Sequence, residues 1–134
     1  MNALKFCTLS LFILVFGFGF TDTSETSIDS QNKCKILHEG TFKYGGSNDE
    51  IKVVIKGTTQ TEYHDGGKYI IQSELDWVND CEYNMTMQKV TVPNFPYGKG
   101  AVMNVKVNKV KGNKIFYTST LQGKSWQGTL IKSK

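Results

Sequence analysis

The chain is 134 residues long, 39% hydrophobic and 21% charged, with a formal net charge of +4 from 16 basic side chains against 12 acidic ones. A length of this order makes one domain. Every basic side chain is lysine, which excludes the bidentate arginine contacts on which phosphate and guanine readout mainly rests and leaves no nucleic-acid partner expected.

Met1–Lys5 carries one positive charge, and an uncharged apolar run follows from Phe6 to Phe20. The run is shorter than the ~18 residues expected of a spanning helix. Gly17-Phe18-Gly19 offers small residues where a signal peptidase reads. Residues 1–20 therefore read as a signal peptide, with a retained N-terminal anchor as the alternative. Residues 21–33 are polar and rich in Ser, Thr and Asp, a flexible leader, and 34–134 form a single β domain. Export implies a periplasmic or secreted protein with no transmembrane anchor after cleavage. Cys7 leaves with the signal, so Cys34 and Cys81 remain. An even pair in an oxidising compartment reads as a disulfide. Closing the 34–81 loop is worth about 4 kcal/mol in chain entropy.

From Cys34 onward the pattern is that of strands. His38–Tyr44 precedes a turn cluster at 45–49, Ile51–Lys56 puts Ile51, Val53 and Ile55 on one face, and Thr59–Asp65 continues as a more polar strand. Asp65-Gly66-Gly67 is a hairpin turn. Tyr69, Ile71, Ser73, Leu75 and Trp77 share the next face. The alternation breaks at Val78-Asn79-Asp80, and Cys81, Tyr83, Met85 and Met87 resume it. Cys81 is thereby expected at the inner edge of the core, beside Trp77. Thr91–Gly100 holds two prolines and is a loop. Ala101–Val110, Lys114–Leu121 and Ser125–Lys132 complete about eight strands. The short turns allow antiparallel neighbours only. The predicted fold is all-β, an antiparallel meander closing into a small barrel or a flattened barrel-like sandwich.

Few residues suggest chemistry. His38 and His64 are each followed by an acid, Glu39 and Asp65, but neighbours on a strand face opposite ways, so neither pair is a ready-made couple. The expectation for both is a solvent-facing or locally hydrogen-bonded imidazole. No nucleophile with a base, metal-ligand cluster or phosphate loop stands out, so no catalytic residue, metal or cofactor is assigned. Trp77, Tyr83 and Met85 point inward. Small barrels are usually packed solid, with a hollow interior lined by these and by Tyr69, Met87, Met103, Tyr117 and Trp126 as the alternative. The 91–100 loop is the best contact surface, with Phe95 and Tyr97 its contact residues. Charge is segregated: residues 21–82 hold all 12 acids, while residues 83–134 hold nine lysines and no acid. Packing of the two halves together would partly offset them.

Cys34 before Gly40 and Phe42, then Gly57, Gln60 and Glu62, then Trp77, Asp80, Cys81, Glu82 and Tyr83 make a pattern that resembles a group of small exported bacterial β-proteins of unknown function, over about residues 34–87. The resemblance implies linked cysteines and an envelope or secreted setting, and no activity. Gly40-Thr41-Phe42 near the first strand also resembles lipocalin-like barrels, by analogy of fold. The expected function is an exported, non-catalytic and monomeric binding module for a small apolar ligand or a cell-envelope component. A protein-interaction or accessory envelope module acting through the 91–100 loop is the second reading, and a hydrolytic enzyme built on His38 and His64 the third.

Overall fold

The computed structural model describes residues 32–47 and 50–133. The signal segment 1–20 and all of the leader before residue 32 lie outside the described residues. Eight strands follow in order: β1 (Glu39–Tyr44), β2 (Lys52–Lys56), β3 (Thr59–His64), β4 (Tyr69–Asn79), β5 (Glu82–Val90), β6 (Val102–Lys111), β7 (Lys114–Leu121) and β8 (Lys124–Lys132). Each pairs antiparallel with the next, and β8 returns to β1 through Phe42↔Lys132, Lys43↔Ile131 and Tyr44↔Leu130, so the sheet is a closed barrel. Of the two architectures expected, the barrel is the one formed.

Closure makes one face of every strand interior, and the burial follows the alternation read from the sequence. Ile71, Ser73 and Leu75 on β4, Tyr83, Met85 and Met87 on β5, and Ile115, Tyr117, Ser119 and Leu121 on β7 are all buried. Strand β4 carries a register shift between Trp77 and Asn79. The bulge absorbs Val78, which is 57% exposed, and this is why the alternation lapses there.

Up-and-down order sends alternate turns to opposite ends. The β2–β3, β4–β5 and β6–β7 turns lie at one end, the base, and the β1–β2, β3–β4, β5–β6 and β7–β8 connections at the other, the rim. The base is sealed. A 3₁₀ turn at Lys35–Leu37 carries Leu37, wholly buried, under the barrel. A turn this short has no helical periodicity to read, and the sequence pattern did not reveal it. Cys34 and Cys81 are joined, with Cα atoms 5.2 Å apart, which ties this segment to the β4–β5 turn. The His38 ring stacks on Trp77 with centroids 3.7 Å apart, and its Nε2 donates to the Asp80 carbonyl at 2.9 Å. Trp77 Nε1 donates to the Gly57 carbonyl at 3.1 Å. Lys132 Nζ reaches the carbonyls of Ile36 and Glu39 at 3.0 and 2.7 Å. Gly40 is needed for that reach: its φ is +144°, and a Cβ there would lie 2.6 Å from Lys132 Cε.

Above this plug Leu37, Phe42, Val53, Ile55, Leu75, Val105, Ile115 and Leu130 pack into one apolar cluster. The acid-bearing and acid-free halves of the chain stand side by side in the barrel wall, meeting along the β4–β5 and β8–β1 seams. Among the described residues no helix is long and apolar enough to cross a membrane.

The disulfide joins residues 47 apart in sequence, so its loss relaxes a long loop in the unfolded chain. Replacing both cysteines by serine is expected to lower unfolding stability by about 2–4 kcal/mol, read as a drop in the urea midpoint of the oxidised protein. An unchanged midpoint would mean that the base holds without the bridge.

Candidate functional site

The apolar cluster fills the barrel toward the base, whereas the half toward the rim encloses a cavity of about 360 Å³. The packed interior expected from barrel size thus describes one half of the molecule and the hollow alternative the other. The reason lies in the side chains at interior positions. Branched aliphatics dominate below, but the upper half is lined by Gln60, Glu62 and His64, by the flexible Met85, Met87 and Met103, and by the small Ser119.

The polar wall is the inner face of β3. Gln60 and Glu62 are buried, at 4% and 9% exposure, between the outward Thr59, Thr61 and Tyr63. Three donors converge on the Glu62 carboxylate. Tyr44 OH, at the end of β1, donates to Oε1 at 2.6 Å, Gln60 Nε2 to the same oxygen at 3.3 Å, and His64 Nε2 to Oε2 at 3.2 Å. Tyr83 OH, from β5, donates to Gln60 Oε1 at 3.2 Å, which holds the Gln60 amide facing Glu62. An ionised carboxylate only accepts, and donors replacing its water are what make burial of such a group tolerable.

Tyr117, on β7, completes the polar belt from across the barrel. It pairs with Gly128 on β8, and a Cβ at 128 would collide with the Tyr117 ring and hydroxyl. Gly128 therefore lets the ring lie down across the next strand. Among the described residues nothing bonds to the hydroxyls of Tyr117 or Ser119, and both residues line the cavity.

Burial governs the phenols. It pushes Tyr44 well above its ordinary value of 10.0, with the Glu62 carboxylate adding to the effect. Burial raises Tyr83 likewise, with Tyr117 and Glu62 contributing. Burial and then Glu62 push Tyr117 up to about 12.

The mouth lies at the rim, where Phe95 from the 91–100 loop and Trp126 from β8 line the cavity. Trp126 is 39% exposed. The loop is stitched to the barrel: Thr91 Oγ1 accepts from Ile70 N at 2.8 Å, and Gly100 N donates to the Met87 carbonyl at 2.8 Å.

Of the contact residues expected from the sequence, Tyr83, Met85 and Phe95 line the cavity. Trp77 does not, because its ring is part of the base, stacked on His38 below the apolar cluster. Tyr97 stands edge-on to Phe95, centroids 6.0 Å apart, outside the lining. The alternative lining set keeps Met87, Met103, Tyr117 and Trp126 and loses Tyr69. His64 does have a carboxylate partner, two residues before it rather than one after, since positions two apart share a strand face. Tyr44, Gln60 and Glu62 were not singled out as site residues. The signal that could have found them is a strand whose inner positions carry long polar side chains beside a β2 whose inner positions are Val53 and Ile55. No group of three or more metal-ligating side chains occurs among the described residues.

No protein-family profile, no curated protein and no solved structure matches this chain significantly.

A raised phenol keeps its proton in the fold after the unfolded chain has lost it. The stability that the neutral phenols contribute is present in full below pH 10 and is lost as pH rises from 10 through 12. Titration followed at 295 nm is therefore expected to show Tyr44, Tyr83 and Tyr117 still protonated at pH 11, where the urea-unfolded chain is largely ionised. Urea midpoints are expected to fall between pH 10 and pH 12. Six phenols titrating together near pH 10 in the native protein would contradict the buried belt.

Proposed function

We propose that this protein is an exported, non-catalytic binding module that holds a small, mainly apolar ligand in the upper half of its barrel. The observation that carries this reading is a cavity of about 360 Å³ open at one end and sealed by packed side chains at the other. Its volume sits at the lower end of the roughly 300–1,000 Å³ of ligand sites, and it has their composition, an apolar wall with a few convergent polar groups. Export is supported by the Cys34–Cys81 disulfide, because such bonds persist in oxidising compartments. The signal peptide over 1–20 and a periplasmic or secreted location belong to the same proposal.

The group of small exported β-proteins belongs here too, on the strength of what its motif residues do. Gly40 lets Lys132 cross the base, Trp77 and Cys81 close it, and Gln60, Glu62 and Tyr83 form the polar belt. A binding role is favoured over hydrolysis because the His64 ring bonds to Glu62 and, among the described residues, to no hydroxyl or thiol that it could activate. It is favoured over protein docking through the 91–100 loop because Phe95 is turned to the cavity rather than away from it.

Ser119 tests the reading with little risk to the fold. Its side chain is 2% exposed, has no partner among the described residues and borders the empty volume. Ser119→Leu should fill part of the cavity, leaving thermal stability equal or raised, while binding of the hydrophobic fluorophore 1-N-phenylnaphthylamine weakens tenfold or more. Undiminished fluorophore binding in a folded Ser119→Leu protein would place apolar ligands outside the barrel.

A further inference from the structure

The polar belt restricts what the cavity can accept. Besides tyrosines, the titratable side chains lining it among the described residues are Glu62 and His64, and no described lysine is among them. The ring nitrogen of His64 that faces the carboxylate is already engaged by it at 3.2 Å. An anionic ligand such as a fatty acid would therefore set its charge beside Glu62 with no free cation to offset it, a costly arrangement in a site shielded from water.

A wholly apolar ligand also fits poorly. A carboxylate offers about four lone-pair sites. Tyr44 and Gln60 occupy Oε1, whereas among the described residues Oε2 takes His64 alone, so an acceptor position remains. The hydroxyls of Tyr117 and Ser119 stand across the barrel on β7, also without partners among the described residues. A purely hydrocarbon occupant would cover all three and satisfy none.

We propose that the ligand is a small arylalkylamine, seated with its ammonium on Glu62 Oε2 and its ring among Met85, Met87 and Met103. This rests on the binding-module reading and names its ligand class. An ammonium brings three donors and no acceptor, which suits the open acceptor position on Glu62 Oε2. The faces of Trp126 and Phe95 at the mouth attract a cation as it enters. Thioethers make favourable contacts with aromatic rings and adapt to their outline. The neighbouring donors on Glu62 hold its carboxylate in place before the ligand arrives, so little ordering is needed on binding.

Calorimetric titration of the purified, oxidised protein with 2-phenylethylamine, 2-phenylethanol and 3-phenylpropionate at neutral pH tests this. The amine is expected to bind at least tenfold more tightly than the alcohol, and the acid at least tenfold more weakly than the alcohol. Glu62→Gln, which keeps the shape of the side chain, is expected to abolish the preference for the amine over the alcohol. The order in the wild-type protein decides the matter by itself should that variant fold poorly. Equal binding of amine and alcohol, or tighter binding of the acid, would overturn the amine while leaving a small-molecule binder in place. Absence of binding by all three, together with no fluorophore uptake, would overturn the binding-module reading and the amine with it.

Discussion

The seam between β8 and β1 is the constraint on which the rest of this molecule depends. An open sheet of these strands would present its inner face to water, and a carboxylate such as Glu62 would simply be solvated. Closure turns the same face into an interior. Yet the seam is a short ladder, running only from Phe42 with Lys132 to Tyr44 with Leu130. It is reinforced at both ends, by Gly45 N donating to the Thr129 carbonyl at 2.9 Å and by Ser133 N donating to the Thr41 carbonyl at 2.8 Å. Lys132 adds an ammonium that caps two carbonyls beneath the barrel. The disulfide then holds the segment leading into β1 against the β4–β5 turn, on the far side of the base. Covalent and polar fastenings thus gather where the hydrogen-bonded ladder is weakest.

The interior divides along the barrel axis. Toward the base, branched and aromatic side chains pack into one buried cluster, and Leu37 closes the floor from outside the sheet. Toward the rim the interior positions pass to long polar side chains, methionines and serine, and these line the cavity. A small barrel can in this way be stable and hollow at once, since one half supplies the apolar burial that the other forgoes. The division also explains why two tryptophans on inner faces have different roles. Trp77 lies below the packed layer as part of the seal, and Trp126 lies above it at the mouth.

The belt that surrounds the cavity comes from alternate strands: Tyr44 from β1, Gln60, Glu62 and His64 from β3, Tyr83 from β5 and Tyr117 with Ser119 from β7. Strand pairing brings no two of these strands together, because every neighbour of an odd strand is an even one. They meet only across the lumen. Buried polar networks of this kind are worthwhile when every member is satisfied. Here the donors around Glu62 are matched, while among the described residues the Tyr117 and Ser119 hydroxyls on β7 have no partner.

Much of the fold was legible because alternation is a local property. Side chains two apart share a face whatever the partner strand is, so the inward sets on β4, β5 and β6, the turns between them and the pairing of Cys34 with Cys81 follow from residue order and cysteine count. The site was far less legible. His64 with Glu62 could have been read from spacing, but that Tyr44, Gln60 and Tyr83 end on or beside one carboxylate requires strands 1, 3 and 5 to face a common interior. Whether that interior is filled depends on summed side-chain volume around a ring, which no single strand reveals. Residue order determined by itself the eight strands, their faces and the disulfide. Only the tertiary structure decided between barrel and sandwich, the half-hollow interior and the buried charge, because each is set by distances across the lumen rather than along the chain.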